Sequence, residues 1–398
     1  MMNGSEENSS SVLAELTALA GSLQGSDLNE DVRLKALAVT RSLLSALQSP
    51  FERIMQDVVM NPPTLMAIRM GVQLEIFTQI SQNPEGIALQ DIAEKTGSSP
   101  ILVGQILRLL CAAGYVKQHD AQTFKPSPLT VVMAGSMAEA TTRACFDIGN
   151  LCTTKAPEFF RKNNNQLPSS VKDTPFQLGL NTELRYFEWL GENPDLARDF
   201  QQWMTLKQNA TPSWLDWFDI QNHLVEDFST KTSDVLFVDV GGGEGQYIQG
   251  FKGKFADIPG RLVLQDLPQV ISVIESAPTG VELASHDFFT AQPIKGARAY
   301  FMHWILHDWP DEQCRAILRH IVDAMEPGYS KLIIHETIIP DTNCDLPSAC
   351  MSVMMMIQVA GFERSEKQWR ELLESVGLSK VVFHQPPISG EGIIEAMR

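Results

Sequence analysis

The C-terminal half of this chain predicts an α/β fold built on a parallel sheet, behind a mainly helical N-terminal half. Three observations carry that prediction. Val235-Leu236-Phe237-Val238-Asp239-Val240 is apolar and rich in β-branched residues, as in a strand buried on both faces. It runs straight into a glycine loop, Gly241-Gly242-Gly243-Glu244-Gly245. Strands then alternate with amphipathic helices until two strands end the chain with no helix between them.

The loop narrows the ligand. Its spacing is Gly241-x-Gly243-x-Gly245, followed by Gln246. That departs from the G-x-G-x-x-G of a dinucleotide pyrophosphate site. Glycine lets the backbone turn sharply and approach a ligand with no Cβ in the way. A shorter loop entered from an acid, Asp239, suits a ligand with an amino-acid end and no phosphate, such as S-adenosylmethionine (SAM). The second strand, Arg261–Asp266, ends in an acid 21 residues beyond Gly245, where Rossmann-like folds bind ribose hydroxyls. Asp287 follows a short third strand in Ser285-His286-Asp287-Phe288. Taken singly, Asp266 and Asp287 read equally well as solvated turn acids. Three strand-end acids in order, behind a glycine loop, favour a nucleoside.

The fourth strand, Arg298–Met302, leads into His303-Trp304-Ile305-Leu306-His307-Asp308-Trp309. Ligands of open α/β sheets sit beyond the carboxyl ends of the strands, so His307 is placed near the cofactor. Asp311–Met325 is an amphipathic helix, and Lys331–His335 is the fifth strand, ending at Glu336 beside strand four. Glu336 is therefore expected to reach His307. Glu363 precedes a further helix on the same rim, opened by the capping box Ser365-Glu366-Lys367-Gln368. A carboxylate on one imidazole nitrogen fixes the tautomer while the other nitrogen takes a proton. Such a histidine is a general base able to raise a phenol to its nucleophilic phenolate. The alternative is a helix-terminal histidine with no chemistry. His286, His303, His320, His335 and His384 read as structural or surface groups. Val381–His384 and Gly392–Met397 form a terminal antiparallel hairpin at the sheet edge.

Upstream, residues 1–30 are polar and expected to be partly disordered. Residues 31–135 form a helical unit, 136–230 a helical connecting and substrate-lid region, and 231–398 the catalytic domain. Asp31–Gln48 and Thr64–Ile80 show helical periodicity. Residues 87–97 are a short helix. Ser99-Pro100 starts a third helix with Ser99 as cap, and Gly114 closes it. Tyr115–Gln118 and Thr123–Lys125 make a two-stranded wing, a winged-helix arrangement. A DNA reader needs basic residues near the start of its recognition helix. Between Ser99 and Ala113 the only one is Arg108, late in the helix, so the unit reads as a platform for dimer packing. The aromatic and methionine stripes at Tyr186–Leu190 and Phe200–Leu206 fit core, with an acceptor pocket as the alternative.

Bulk properties exclude other classes. A chain of 398 residues with net charge -17 is ill suited to nucleic-acid phosphates or anionic membranes. Its six cysteines show no C-x-x-C pair and no zinc spacing, as expected of reduced thiols in a cytoplasmic protein. No metal-ligand cluster is visible. Met1 to Ser11 is polar and acidic without the pattern of a signal peptide, and no run approaches the roughly 20 apolar residues of a membrane span, so a soluble protein is expected.

These residues also resemble a known family. Val238-Asp239-Val240-Gly241-Gly242-Gly243-x-Gly245, Gln265-Asp266-Leu267-Pro268, His286-Asp287-Phe288, Leu306-His307-Asp308-Trp309 and Gly361-Phe362-Glu363-Arg364-Ser365 resemble the class I SAM-dependent O-methyltransferases. The group is the caffeic-acid/isoflavone type, found in plants and in fungal secondary metabolism. The likeness runs over about residues 60–398. It implies a seven-stranded methyltransferase sheet, a winged-helix dimerisation domain, an interlocked homodimer and a small aromatic acceptor with a phenolic or enolic hydroxyl. It places the base at His307, with Asp308 beside it and Glu336 and Glu363 flanking it. Cofactor contacts fall on Asp239, Gly241, Gly243, Gly245, Asp266, Leu267, Asp287, Phe288, His303 and Trp304. Phe200 and Met204 match an F-x-x-x-M pair that lines the acceptor pocket. His303 stands where plant members often carry Lys. Some fungal relatives bind SAM yet catalyse pericyclizations without methyl transfer, and these can lack the His-Asp pair that this chain keeps.

Overall fold

The computed structural model describes Ala14 and residues 17–22, 29–210, 213–274, 279–386 and 390–398. The expectation for residues 1–30 falls mostly outside the described residues. The chain divides into two compact units, Met1–Ala67 and Ile68–Arg398. The first holds the helix Glu30–Leu47, the short helix Pro50–Ile54 and a π-helical turn over Met55–Met60. Ser49 caps the short helix, accepting from the backbone N–H of Glu52 while the Glu52 carboxylate accepts from that of Ser49. Val39, Leu44, Leu47, Phe51 and Val58 are exposed on this unit. So much apolar surface is the mark of an interaction face.

The periodic stretch over 64–80 is two helices rather than one. Asn61–Gln73 stops, and Ile76–Ser81 restarts after Glu75, whose φ of 52° breaks the ladder. The wing also has one strand more than expected. β1 (Ile87–Ala88) precedes the helix Leu89–Thr96 and pairs with β3 (Thr123–Pro126), which pairs in turn with β2 (Val116–Gln118). Two residues are too short a strand to show an alternating pattern. Ser99 stands at the cap of Pro100–Ala112 but its side chain makes no capping bond.

The sheet has seven strands. They are β4 (Val235–Val240), β5 (Arg261–Asp266), β6 (Val281–Ser285), β7 (Ala299–His303), β8 (Lys331–Glu336), β11 (Ser379–His384) and β12 (Gly392–Met397). Between them lie the short β9 (Ile338–Ile339) and β10 (Arg364–Ser365), which pair with each other in parallel. The order in the large sheet is β11-β12-β8-β7-β4-β5-β6. β4 to β8 are parallel, and β12 enters antiparallel between β8 and β11. The parallel order reverses about β4, flanked by β5 and β7. That crevice at the strand ends is where such sheets bind ligands.

Alternation along each strand supplies two cores. Tyr300, Met302, Leu332 and Ile334 face the helices Asp311–Val322 and Glu366–Glu374. Ala299, Phe301 and Ile333 face Trp214, Phe218, Ile248 and Phe251. Trp214 is fully buried and stacks on Phe301, 4.9 Å between ring centres and 22° between planes. Among the described residues no helix is long and apolar enough to cross a membrane. Trp214→Ala is expected to cost about 3–5 kcal/mol, because the lost ring leaves a cavity under the sheet. Denaturant melts of this variant and of Trp214→Phe, which should lose much less, would check it.

Candidate active site

The turn that carries His307, the candidate catalytic turn, begins where β7 ends. Trp304 takes a φ of 51°, a left-handed conformation unusual for a bulky residue and a form of strain found at functional sites. It bends the chain into a single 3₁₀ turn, Leu306–Asp308, that carries His307 into the interior at 5 % exposure. His307 Nδ1 lies 2.8 Å from Glu363 Oε1. A carboxylate only accepts, so Nδ1 donates and Nε2 is left to receive a proton. Asp308 Oδ1 stands 3.6 Å from that Nε2.

Glu336 differs from expectation. It is fully buried, and its Oε1 accepts from the backbone N–H groups of Leu306 at 2.7 Å and Ile305 at 3.1 Å. It makes no hydrogen bond to His307, although a ring nitrogen of His307 and a carboxylate oxygen each of Glu336 and Glu363 all lie within 4.8 Å of one another. Glu336 anchors the turn and lends its charge; Glu363 alone bonds the ring. The β9–β10 ladder explains the proximity. Arg364 pairs with Ile338, so the two acids sit just before two paired strands. Two further groups, His303/His335/Glu391 and His223/His384/Glu395, are also brought within reach of one another. Spacing along the chain hides all three.

Burial alone would depress His307, but the charges of Glu363, Asp308 and Glu336 overcome it and push the imidazole up to about 9. Burial raises Glu336 to about 7 and Asp308 to about 6, each against the pull of His307. Glu336, Asp308 and the ring therefore titrate as a coupled cluster.

Two residues that the sequence reading did not single out hold this turn. The Arg364 guanidinium, fully buried, donates to the Leu306 carbonyl at 3.0 Å and the Trp309 carbonyl at 2.9 Å, and pairs with Asp311. Gly361 is the other. A Cβ there would sit 1.8 Å from the His307 carbonyl oxygen and 2.6 Å from the Asp308 carbonyl carbon. Both lie inside the Gly361-Phe362-Glu363-Arg364 motif, which marks the segment without assigning either residue its role.

The glycine loop has its own geometry. Asp239 is buried with Oδ2 unpartnered, and burial, then Asp266, raises it to about 7. Gly241, Gly243 and Gly245 all have positive φ. A Cβ on Gly241 would meet Ile305 Cδ1 at 2.6 Å and the Phe288 ring at 3.5 Å. The loop and the catalytic turn therefore share one contact. Asp266 accepts from the backbone N–H of Gly243 at 2.8 Å and of Leu267 at 2.7 Å. Asp287 is exposed and accepts from the Phe289 N–H. His303 Nε2 shares a 2.9 Å hydrogen bond with the Tyr247 hydroxyl, and Trp304 stacks on the His303 ring. A pyrophosphate would be repelled by Asp239 and Asp266. A ligand with an ammonium end and ribose hydroxyls finds acceptors there, so the residues fit SAM. Phe200 joins an aromatic cluster with Tyr186 and Trp203, and Met204 lies one turn on, half-buried.

Comparison with known proteins follows this geometry. Residues 187–379 match the O-methyltransferase domain and residues 64–136 the O-methyltransferase dimerisation domain. Demethylsterigmatocystin 6-O-methyltransferase of Aspergillus parasiticus is 37% identical over 326 residues, 81% of this chain and 83% of that protein. The structure of LepI in complex with SAM superposes with a TM-score of 0.84 at 28% identity, covering 98% of this chain and 99% of that one. A structure described as a pericyclic reaction enzyme gives 0.83 at 27% identity, covering 99% and 100%.

Two outcomes are expected from this geometry. Removing the charge of Glu363 in Glu363→Gln should bring the His307 titration down from about 9 toward its ordinary value, seen by NMR of nitrogen-labelled histidine; an unmoved titration would refute the pairing. Gly361→Ala should displace the His307 turn and lower kcat about a hundredfold, as a shift of about an ångström does, with the fold retained.

Proposed function

Since the chain belongs to the SAM-dependent O-methyltransferase family, we propose that it methylates a phenolic hydroxyl of a small aromatic secondary metabolite with His307 as general base. The single observation that carries this reading is the buried His307–Glu363 bond, which leaves Nε2 as the one imidazole nitrogen open to a proton. Bound SAM supplies a methyl group on a sulfonium. Asp239, the Gly241–Gly245 loop and Asp266 would hold it, with Leu267, Asp287, Phe288, His303 and Trp304 around them. The remaining work belongs to the protein's own side chains. His307 Nε2 takes the phenol proton as the oxygen turns nucleophile. Glu363 accepts from Nδ1 and stabilises the imidazolium. Glu336 holds the turn by its backbone N–H groups, and Asp308 faces Nε2. With the imidazole raised to about 9 and a phenol near 10, the transfer itself is closely matched, but His307 must first lose its own proton, so activity is expected to rise as the pH climbs toward 9. Phe200 and Met204 line the acceptor pocket, in the lid region 136–230. The dimerisation domain and the exposed apolar residues of Met1–Ala67 support a homodimer.

The likeness to a pericyclic reaction enzyme over nearly the whole chain favours a second reading. There the same fold would catalyse a cyclisation, with the cofactor's positive charge fixed in place and its methyl retained. The intact His307–Glu363 pair favours methyl transfer over it.

One experiment separates them. Wild-type protein with SAM and a panel of aromatic hydroxyl compounds should release S-adenosylhomocysteine (SAH) only when an acceptor is present. His307→Ala should lower kcat at least about a hundredfold while SAM still binds. Near-normal kcat in that variant would remove His307 from the mechanism. A rearranged product formed without SAH would establish the cyclase.

A further inference from the structure

Two buried polar side chains, one in and one flanked by members of the apolar cluster around Phe176, are used by nothing in the mechanism. Tyr186 opens the helix Tyr186–Glu192 and is 6 % exposed. Its ring packs edge-on against Phe187 at 5.3 Å and Phe200 at 5.8 Å, and tilted on Phe176 at 5.2 Å. Gln358 lies near the end of the helix Leu346–Val359 and is 4 % exposed. Ile357 and Val359, on either side of it, belong to the same apolar cluster as Tyr186, with Ile148 and Cys152. Its Nε2 would lie 3.5 Å from a Cβ placed on Gly149, within the π-helical turn Cys145–Asn150. π-Helical turns recur at functional sites.

This cluster abuts the catalytic turn. The helix carrying Gln358 is followed directly by Gly361, whose backbone presses on the His307 carbonyl. Ser352 of that helix accepts from the Glu363 N–H at 3.3 Å. Tyr186 also feels the charge of Asp308.

Among the described residues, neither the Tyr186 hydroxyl nor the Gln358 side-chain amide has a hydrogen-bond partner in the protein. Neither is sealed away among the fully buried unpartnered atoms. Buried tyrosine hydroxyls and amides are normally satisfied. Two orphans in one apolar cage, next to a general base, point to a ligand that satisfies them. Burial keeps the Tyr186 phenol protonated far beyond its ordinary range, so it donates. The hydroxyl being methylated must give its own proton to His307. The Tyr186 donor is left for a second oxygen on the acceptor.

We propose that Tyr186 and Gln358 bind a carbonyl oxygen adjacent to the methylated hydroxyl, which makes hydroxylated aromatic ketones the preferred acceptor class. The aromatic cage receives the planar ring, Tyr186 donates to the ketone, and the Gln358 amide donates beside it. The proposal rests on the reading of this site as one that methylates an aromatic hydroxyl.

The test is calorimetric binding to the SAH-loaded protein. The probes are a hydroxyanthraquinone with its hydroxyl beside the carbonyl and the corresponding hydroxyanthracene, which lacks the carbonyl. Tyr186→Phe should weaken the anthraquinone about tenfold, the effect of one lost hydrogen bond, and leave the anthracene and SAH affinities unchanged. Gln358→Leu should weaken the same probe in the same direction, and serves as the second variant. Equal losses for both probes, or no loss for the ketone, would overturn the proposal. Because binding is read without turnover, a wild-type protein that never releases SAH would defeat the methyl-transfer reading alone, while the probe comparison still decides Tyr186 and Gln358.

Discussion

Burying one imidazole among three carboxylates is the constraint that organises the second unit. Charges removed from water are costly unless each meets an opposite charge or a donor. Here His307 meets Glu363, and Glu336 meets two backbone N–H groups of the turn that carries His307. Arg364 adds a positive charge to the same pocket and ties both ends of that turn by their carbonyls. These groups support one another. Removing any of them would leave a buried charge without its partner, which is why so much nearby geometry serves their placement. The left-handed Trp304, the uncluttered Gly361 and the two-residue β9–β10 ladder each contribute a fixed point.

The cofactor loop is coupled to this cluster through packing rather than charge. Gly241 leaves room for Ile305 and Phe288. Ile305 is the residue whose N–H Glu336 holds. The reversal of strand order at β4 brings the loop after that strand beside the turn after β7. A ligand resting on the first would therefore lie close to His307 on the second, because two neighbouring strand ends face each other there without a long flexible loop.

The fold was legible wherever the signal was local. The six-residue strands β4, β5 and β12 appear at their expected positions, because buried apolar runs bounded by glycine or an acid are short-range patterns. The capping box at Ser365 formed as written. The failures share a cause. The helix break at Glu75 and the strand Ile87–Ala88 depend on conformations and partners that no periodicity records. Of the candidate site, His307, Glu336 and Glu363 were readable as an imidazole flanked by two acids on one rim, and which acid bonds the ring was not. Glu336 was expected on the ring and found on the backbone beside it. Gly361 and Arg364 were in view within a quoted motif, but a role defined by pressing on a carbonyl, or by bonding to two of them, has no sequence signature.

The amino-acid sequence by itself determined the alternation of strands and helices, the glycine loop, the three strand-end acids and the family to which the chain belongs. Each is a matter of residue type at short spacing, where backbone sterics and side-chain polarity act directly. Tertiary structure alone decided which carboxylate holds the imidazole and which holds the turn, and that, among the described residues, the Tyr186 hydroxyl and the Gln358 side-chain amide find no hydrogen-bond partner. His307 and Glu363 are 56 residues apart, and Leu306 and Glu336 are 30 apart. Hydrogen bonds across such separations are set by sheet order and the register of neighbouring strands, quantities that exist only once the chain has folded.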